Sequence, residues 1–194
     1  IKAKLINLPI LSFAFAADII KRRGHACEIK TNCEVGNTDI VIIASSMHCW
    51  EEENNAAKLI KKNNPLIKVG LYGPFAHTNH ILFDSSIDFI IGGELESTIL
   101  QFLDNKLELK GLLNCGVVSD LGELGNPDWS LFPYKEFSYF PMLRSRVMLP
   151  IQSSRGCSFN CDFCPYMVSQ TSSYRKRSPE SVVNEIENNI KKYN

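Results

Sequence analysis

The run Asp39-Ile40-Val41-Ile42-Ile43-Ala44 constrains this chain more than any other stretch. Every side chain after the aspartate is apolar, so a strand built from them needs cover on both of its faces. A parallel sheet lying between helices provides that cover. The alternation then repeats along the chain. Glu51 to Asn63 has helical texture, with Ala56, Ala57, Leu59 and Ile60 available for a buried stripe and Lys61-Lys62 near its carboxyl end. Pro65 breaks that helix, and Lys68-Val69-Gly70-Leu71-Tyr72 makes a second strand ending at Gly73-Pro74. Ile87 to Ile91 is a short third strand running into Gly92-Gly93-Glu94, and Ser97 to Leu103 is the next helix. Strand–helix alternation of this kind predicts a doubly wound α/β domain.

The amino-terminal stretch fits the same scheme. Lys2 to Leu8 reads as a strand, Pro9 as a turn, and the residues up to Arg22 as a helix closed by Gly24. A secretory leader is the competing reading, because Lys2 and Lys4 precede an apolar run and Ala14-Phe15-Ala16 mimics a cleavage site. That run, Leu5 to Ala17, contains Asn7 and Pro9 and is too short to span a bilayer. No transmembrane segment is expected.

Composition narrows the function classes. Apolar residues make up 44% of the 194, and Lys+Arg and Asp+Glu number 21 each, so the net charge is zero. Such a chain can build a core, and it is not a generally basic protein that coats nucleic acid. No nucleic-acid partner is expected. Its seven cysteines are an odd number, and Cys27, Cys33, Cys49 and Cys115 are scattered. That is poor arithmetic for disulfides and points instead to metal or redox chemistry in a reducing compartment, hence to the cytoplasm.

Three regions are expected. Residues 1–110 form the α/β domain. Residues 111–146 change texture: turns at Gly122, Gly125-Asn126-Pro127, Pro133 and Pro141 alternate with Trp129, Phe132, Tyr134, Phe137, Tyr139 and Phe140. This reads as an aromatic, proline-rich linker that packs against something. Residues 147–194 comprise a strand (Val147 to Gln152), a loop (Ser153 to Ser173) and a helix (Pro179 to Asn194) with Ser178 as N-cap. Val182, Val183, Ile186, Ile190 and Tyr193 give that helix one apolar face. One strand, one loop and one helix cannot bury such a face alone, so this region is expected to be the first βα unit of an incomplete second domain.

The loop carries the chemistry. In Ser153-Ser154-Arg155-Gly156-Cys157-Ser158-Phe159-Asn160-Cys161-Asp162-Phe163-Cys164-Pro165-Tyr166, three cysteines are spaced C-x3-C-x2-C. Three thiolates on one short loop can hold three irons of a 4Fe-4S cluster and leave the fourth open to a ligand. Other readings stand beside this one. The three positions also share one face of a helix, although Gly156 and Pro165 leave room for barely two turns. A distant His or Cys could complete a structural zinc site, or close the cluster as in an electron carrier. Six Lys or Arg residues and one Asp lie between Arg144 and Arg177, a net of +5. They form a patch that could attract an anionic cofactor or substrate, or a solvated charged loop.

The loop resembles the signature of the radical S-adenosylmethionine (SAM) superfamily. The spacing matches, with Phe163 before the third cysteine, Ser-Arg-Gly leading in, Phe-Cys-Pro-Tyr, and Tyr174-Arg175-Lys176-Arg177-Ser178-Pro179-Glu180 opening a helix. The resemblance implies that Cys157, Cys161 and Cys164 hold the cluster and that SAM chelates the open iron with Phe163 near its adenine. It further implies that an electron from the cluster cleaves the sulfonium to start radical chemistry. The corresponding fold is a (β/α) barrel with the loop at the carboxyl end of its first strand.

Upstream, the order of an α/β domain, Gly92-Gly93-Glu94-Leu95-Glu96, Pro127-Asp128-Trp129 and then the cysteine loop is similar to cobalamin-binding radical SAM proteins. The resemblance implies a Rossmann-like domain holding a corrinoid at the carboxyl ends of its strands, at the switch point of the sheet. Ser45, Ser46, Gly73, Gly92, Gly93 and Glu94 would line that edge. The glycines also suit plain turns, and Glu94 suits a helix start. The Asp-x-His-x-x-Gly motif of many cobalamin domains is replaced by Asn7-Leu8-Pro9-Ile10-Leu11, so cobalamin is expected without the usual histidine ligand. No motif assigns His48, His77 or His80.

The expected function is that of a cobalamin-type radical SAM enzyme working on a small-molecule substrate by methyl transfer or a related carbon-centred reaction. A one-electron reductant such as flavodoxin or ferredoxin would serve it. The 194 residues alone are expected to be inactive, because barrel strands that complete the pocket are not among them. The alternative is a corrinoid- or nucleotide-binding module with a structural zinc or an electron-transfer iron–sulfur site.

Overall fold

The computed structural model describes residues 6–7, 9–139, 147–159, 161–164 and 173–193. The chain divides into two compact units. One comprises Lys30–Val118 and Gly156–Ser173; the other comprises Ile1–Ile29, Ser119–Arg155 and Tyr174–Asn194.

The first unit is built on a four-stranded sheet of β2 (Ile40–Ala44), β3 (Lys68–Tyr72), β4 (Phe89–Gly92) and β5 (Gly111–Asn114), all parallel. Three helices punctuate it: α2 (Trp50–Asn63), α3 (Pro74–Thr78) and α4 (Leu95–Leu103). The expected α/β class with a parallel sheet is therefore present. Strand order runs consecutively, β2-β3-β4-β5, with no reversal among the described strands. Val41 stands beside Val69, Ile43 beside Leu71, and Leu71 beside Ile90. That register lines up one apolar face, against which Ala57 and Ile60 of α2 and Ala76 of α3 pack. Each fully buried valine, leucine or isoleucine side chain among these is worth roughly 1.5–3 kcal/mol relative to exposure. The sheet extends through Asn114, four residues into the stretch expected to be linker.

The second unit gathers α1 (Leu11–Arg22) and the residues around Trp129 with the last helix, α5 (Pro179–Tyr193). Trp129, Phe137, Ala14 and Tyr193 form its buried centre, and Leu11, Phe132, Tyr134 and Leu149 pack around them. The rings meet edge to face, Trp129 and Phe137 at 5.9 Å and Tyr134 and Tyr193 at 5.0 Å. Two short antiparallel ribbons join this unit: β1 (Ile6–Asn7) with β6 (Ser138–Tyr139), and β7 (Ser154–Arg155) with β8 (Arg175–Lys176).

Two expectations need correction here. Val147 to Gln152 is not a paired strand; pairing begins at Ser154 and spans two residues on each side. The apolar face expected for the last helix is turned outward: Val183 is 50%, Ile186 40% and Ile190 58% exposed. Of the expected face Tyr193 is buried and Val182 partly so, and the other buried positions are Glu185 and Asn189. The cause is polar. Tyr193 places its hydroxyl against the Trp129 backbone N–H and the Asp128 carboxylate, and Glu185 meets a buried arginine. Of the strand expected over Lys2 to Leu8, only Ile6 and Asn7 lie among the described strand residues.

Candidate functional site

The cysteine loop leaves and returns through the β7–β8 ribbon, where Ser154 faces Lys176 and Arg155 faces Arg175. Beyond it, Cys157 and Cys164 are half-buried and Cys161 is exposed, and all three are free thiols. The Cys164 N–H donates to the Cys161 carbonyl at 3.0 Å, which makes the x2 spacing a tight turn. Phe163 is 89% exposed and Phe159 72%, so neither ring is used in packing. Asn160, Pro165 and Tyr166 of the motif lie outside the described residues. Among the described residues no three His, Cys, Asp or Glu side chains stand close enough together to hold a metal ion. The donor set itself fits an iron–sulfur cluster: three unbridged soft thiols on one short, accessible loop.

The basic patch is corrected by the structure. Arg155, Arg175 and Arg177 are 3%, 9% and 7% exposed, and Lys176 is the exposed member among the described residues. Arg144 and Arg146 lie outside them. Arg155 donates from Nε to the Gln152 side-chain oxygen at 2.6 Å and stacks its guanidinium over the Phe15 ring at 5.5 Å. These arginines are internal ties of the fold. Charge counted along a sequence carries no information on burial, so the count missed this.

At the carboxyl edge of the sheet the chain uses its small residues on itself. A side chain on Gly73 would meet the Ser45 carbonyl oxygen, and one on Gly92 would meet the His77 ring. Gly93 has φ +77°, and a side chain there would meet the Gly116 carbonyl. Glu94 is fully buried; its backbone N–H donates to Gly116 O and its carboxylate accepts from the Val118 N–H at 2.8 Å. Glu94 thus pins the loop after β5. The Ser46 to Cys49 loop stays exposed, and Met47 is 60% exposed.

Glu53 was not singled out in the sequence, and it organises this edge. It is 5% exposed, accepts from the Ser45 hydroxyl at 2.5 Å and from the Ser46 N–H at 2.7 Å. Its neighbour Asn54 donates to Leu82 O and accepts from the Asp84 N–H, tying down the loop after α3. The signal was faint: Glu51-Glu52-Glu53 reads as an acidic first turn favoured by the helix dipole, and only burial separates the third from the others.

The Pro-Asp-Trp motif is a structural hub of the second unit. Asp128 accepts from Lys21 at 2.6 Å and from the Ser130 hydroxyl and N–H, with Lys192 at 3.5 Å. Burial alone would raise its carboxyl pKa, but Lys21, Ser130 and Lys192 together hold it far below the usual carboxylate range.

No family model matches this chain. It is 27% identical over 165 residues to an anaerobic magnesium-protoporphyrin IX monomethyl ester cyclase of Cereibacter sphaeroides, covering 75% of this chain and 26% of that protein. The protein of the same name from Rubrivivax gelatinosus is 27% identical over 172 residues, with 78% and 30% covered. An uncharacterised methyltransferase of Pyrococcus horikoshii is 26% identical over 173 residues, with 76% and 36% covered. The chain therefore spans about a quarter to a third of the length of these curated relatives. A solved amino-terminal domain of a hypothetical Thermotoga maritima protein superposes with a TM-score of 0.44 at 18% identity, over 59% of this chain and 98% of that one. No helix among the described residues is long and apolar enough to cross a membrane.

Proposed function

We propose that this chain carries the cluster loop of a radical SAM enzyme that acts on a small molecule by cyclisation or methyl transfer. The observation supporting it is the set of three free thiols on one short loop, turned at Cys161–Cys164 and entered through a paired ribbon. In this reading Cys157, Cys161 and Cys164 are the cluster ligands. Bound there, a cluster with one open iron would supply a reducing electron to the sulfonium of SAM. The chain's own contribution is to carry the three thiols on one short loop and to keep the unpacked Phe163 ring beside Cys164, free to stack on a flat base. The relatives' names, a cyclase and a methyltransferase, support both reaction types and a small-molecule substrate. A flavodoxin or ferredoxin is the proposed reductant.

At the edge of the sheet where a corrinoid is expected, a side chain on Gly73, Gly92 or Gly93 would meet the chain's own atoms, and nothing at these positions supports the group. No step is routed through it.

The test is anaerobic reconstitution with iron and sulfide. The parent is expected to take up about four irons per chain and to change its spectrum when SAM is added. The C157A/C161A/C164A variant is expected to do neither. Stoichiometric zinc without iron in the parent would support the structural-zinc module instead, and a cluster indifferent to SAM would support an electron carrier.

A further inference from the structure

The second unit contains a buried polar assembly that the proposed chemistry does not use. Arg177 is its centre. Its side chain is 1% exposed and that of its ion-pair partner, Glu185, is 0%. Taking both charges out of water is expensive, and the pair is helped where the remaining donors and lone pairs are also used. The donors of Arg177 are, whereas Oε1 of Glu185 is buried without a partner among the described residues. The backbone N–H of Arg177 donates to Ser153 O at 2.9 Å, and Nη1 donates to Gln152 O at 3.2 Å and to the Glu185 carboxylate. Nη2 donates to the Ser181 carbonyl at 3.1 Å and hydroxyl at 3.0 Å, and Nε reaches the same hydroxyl at 3.3 Å.

These bonds run in two directions. Gln152 and Ser153 precede the cysteine loop, whereas Ser181 and Glu185 belong to the helix on its far side. Arg177 grips both. The ribbon at the neck has two residues on each strand, too short to hold itself together in water. Closing the long segment between Ser153 and Arg177 costs chain entropy that rises with the logarithm of its length. A guanidinium can meet this demand because its five donors form a planar fork; a lysine ammonium concentrates its donors at one point.

We infer that Arg177, buttressed by Glu185, is a positioning residue that clasps the two ends of the cysteine loop and so shortens the search by which a metal draws Cys157, Cys161 and Cys164 together. This rests on reading the loop as a metal-binding loop, and it assigns a role to residues that touch neither metal nor cofactor. Burial pushes the Glu185 carboxyl pKa upward while the guanidinium opposes that shift, so Arg177 is what favours its charged form. A fair test therefore removes both partners together.

The test compares the parent, R177M/E185M and S181A as full 194-residue chains. Fold is checked by far-UV circular dichroism, and cadmium(II) is titrated into the reduced apo protein while thiolate-to-metal absorption is followed. The double variant is expected to stay folded, to bind cadmium about tenfold or more weakly, and after reconstitution to yield iron to a chelator about tenfold faster. S181A keeps the ion pair and removes the hydroxyl that accepts from both Nη2 and Nε, so it is expected to weaken cadmium binding about two- to fivefold; it decides the matter if the double variant does not fold. Parent-like cadmium affinity in a folded double variant, or in S181A where the double variant does not fold, overturns the clasp. A parent that binds cadmium through its thiolates yet takes up no iron sinks the cluster reading and leaves the clasp to be judged on cadmium alone.

Discussion

The sheet and the neck of the cysteine loop solve the same problem, holding chain segments in place, with opposite materials. In the sheet unit Val69, Leu71 and Ala76 are completely buried in apolar clusters between strands and helices, and buried polar ties such as Glu53 and Glu94 stand at the sheet's carboxyl edge. At the neck the buried side chains are Arg155, Arg175, Arg177, Glu185 and Asn189, while Val183, Ile186 and Ile190 face outward. Apolar burial is non-directional and tolerates small shifts. Hydrogen-bonded charges in a low dielectric are directional and punish a missing partner. In the proposed reading, a loop whose three thiols meet one metal gains more from the second kind of tie.

The largest expected effect tests this contrast directly. Arg177→Met alone leaves Glu185 buried without its cation and is expected to cost about 3–5 kcal/mol in a urea unfolding experiment. The added Glu185→Met substitution is expected to restore most of that loss, because two apolar side chains of similar volume need no partners. In the sheet no such rescue exists: Leu71→Ala is expected to cost about 2–5 kcal/mol through the cavity it leaves. If the single arginine variant unfolds like the parent, the contrast between the regions is broken.

Next in size is Asp128→Asn, expected to cost about 1.5–3 kcal/mol at pH 7 by weakening the charge-assisted bonds to Lys21 and Lys192. The sign of its pH dependence comes from the lowered carboxyl pKa. Folding stability from Asp128 is fully present above its ordinary 3.8 and is lost as pH falls through the folded value. Glu185 runs the other way: its raised pKa favours the folded state below its ordinary 4.5, and that contribution fades as pH rises. Acid unfolding of Asp128→Asn is therefore expected to be shallower than that of the parent, and acid unfolding of Glu185→Gln steeper.

Gly93→Ala sharpens the reading of the sheet's edge. At φ +77°, with the Gly116 carbonyl in the path of a side chain, it is expected to cost about 1–3 kcal/mol. The loss would appear without any ligand, since the crowding is internal. A penalty that appeared only when a corrinoid was supplied would reopen the cradle at this position.

The sequence made the sheet legible where side chains alone decide the structure. The apolar run at Ile40–Ala44, Pro65 after the helix, and Gly73-Pro74 after β3 each carry a local physical reason for what forms there. β5 went unread because Gly111-Leu112-Leu113-Asn114 is short and Leu112 is half exposed, so its strand character comes from pairing with β4. Val147 to Gln152 failed for the converse reason: it has a strand's composition and no partner strand among the described residues. The three cysteines were visible from spacing alone. Their support was hidden, because arginines are read as surface residues until a carboxylate is found for them. The clue lay in register: Ser181, Glu185 and Asn189 recur every four residues, the spacing of one helix face, with Arg177 four residues ahead of the first.

The smallest expected effect concerns the outward stripe of α5. Val183, Ile186 and Ile190 lie about 100° around the helix from Val182, Glu185 and Asn189, so they share the helix but not its packing. Ile190 is 58% exposed, and little apolar area is returned to water when it is replaced. Ile186→Ser/Ile190→Ser is therefore expected to change unfolding stability by no more than about 0.5 kcal/mol per site. Tyr193→Ser, one turn along on the buried side, removes the ring packed on Tyr134 and the hydroxyl that meets the Trp129 N–H, and is expected to cost about 3–5 kcal/mol. Equal losses on the two faces would mean that the outward stripe contributes to folding as the sheet core does, and that polar ties alone do not hold this helix.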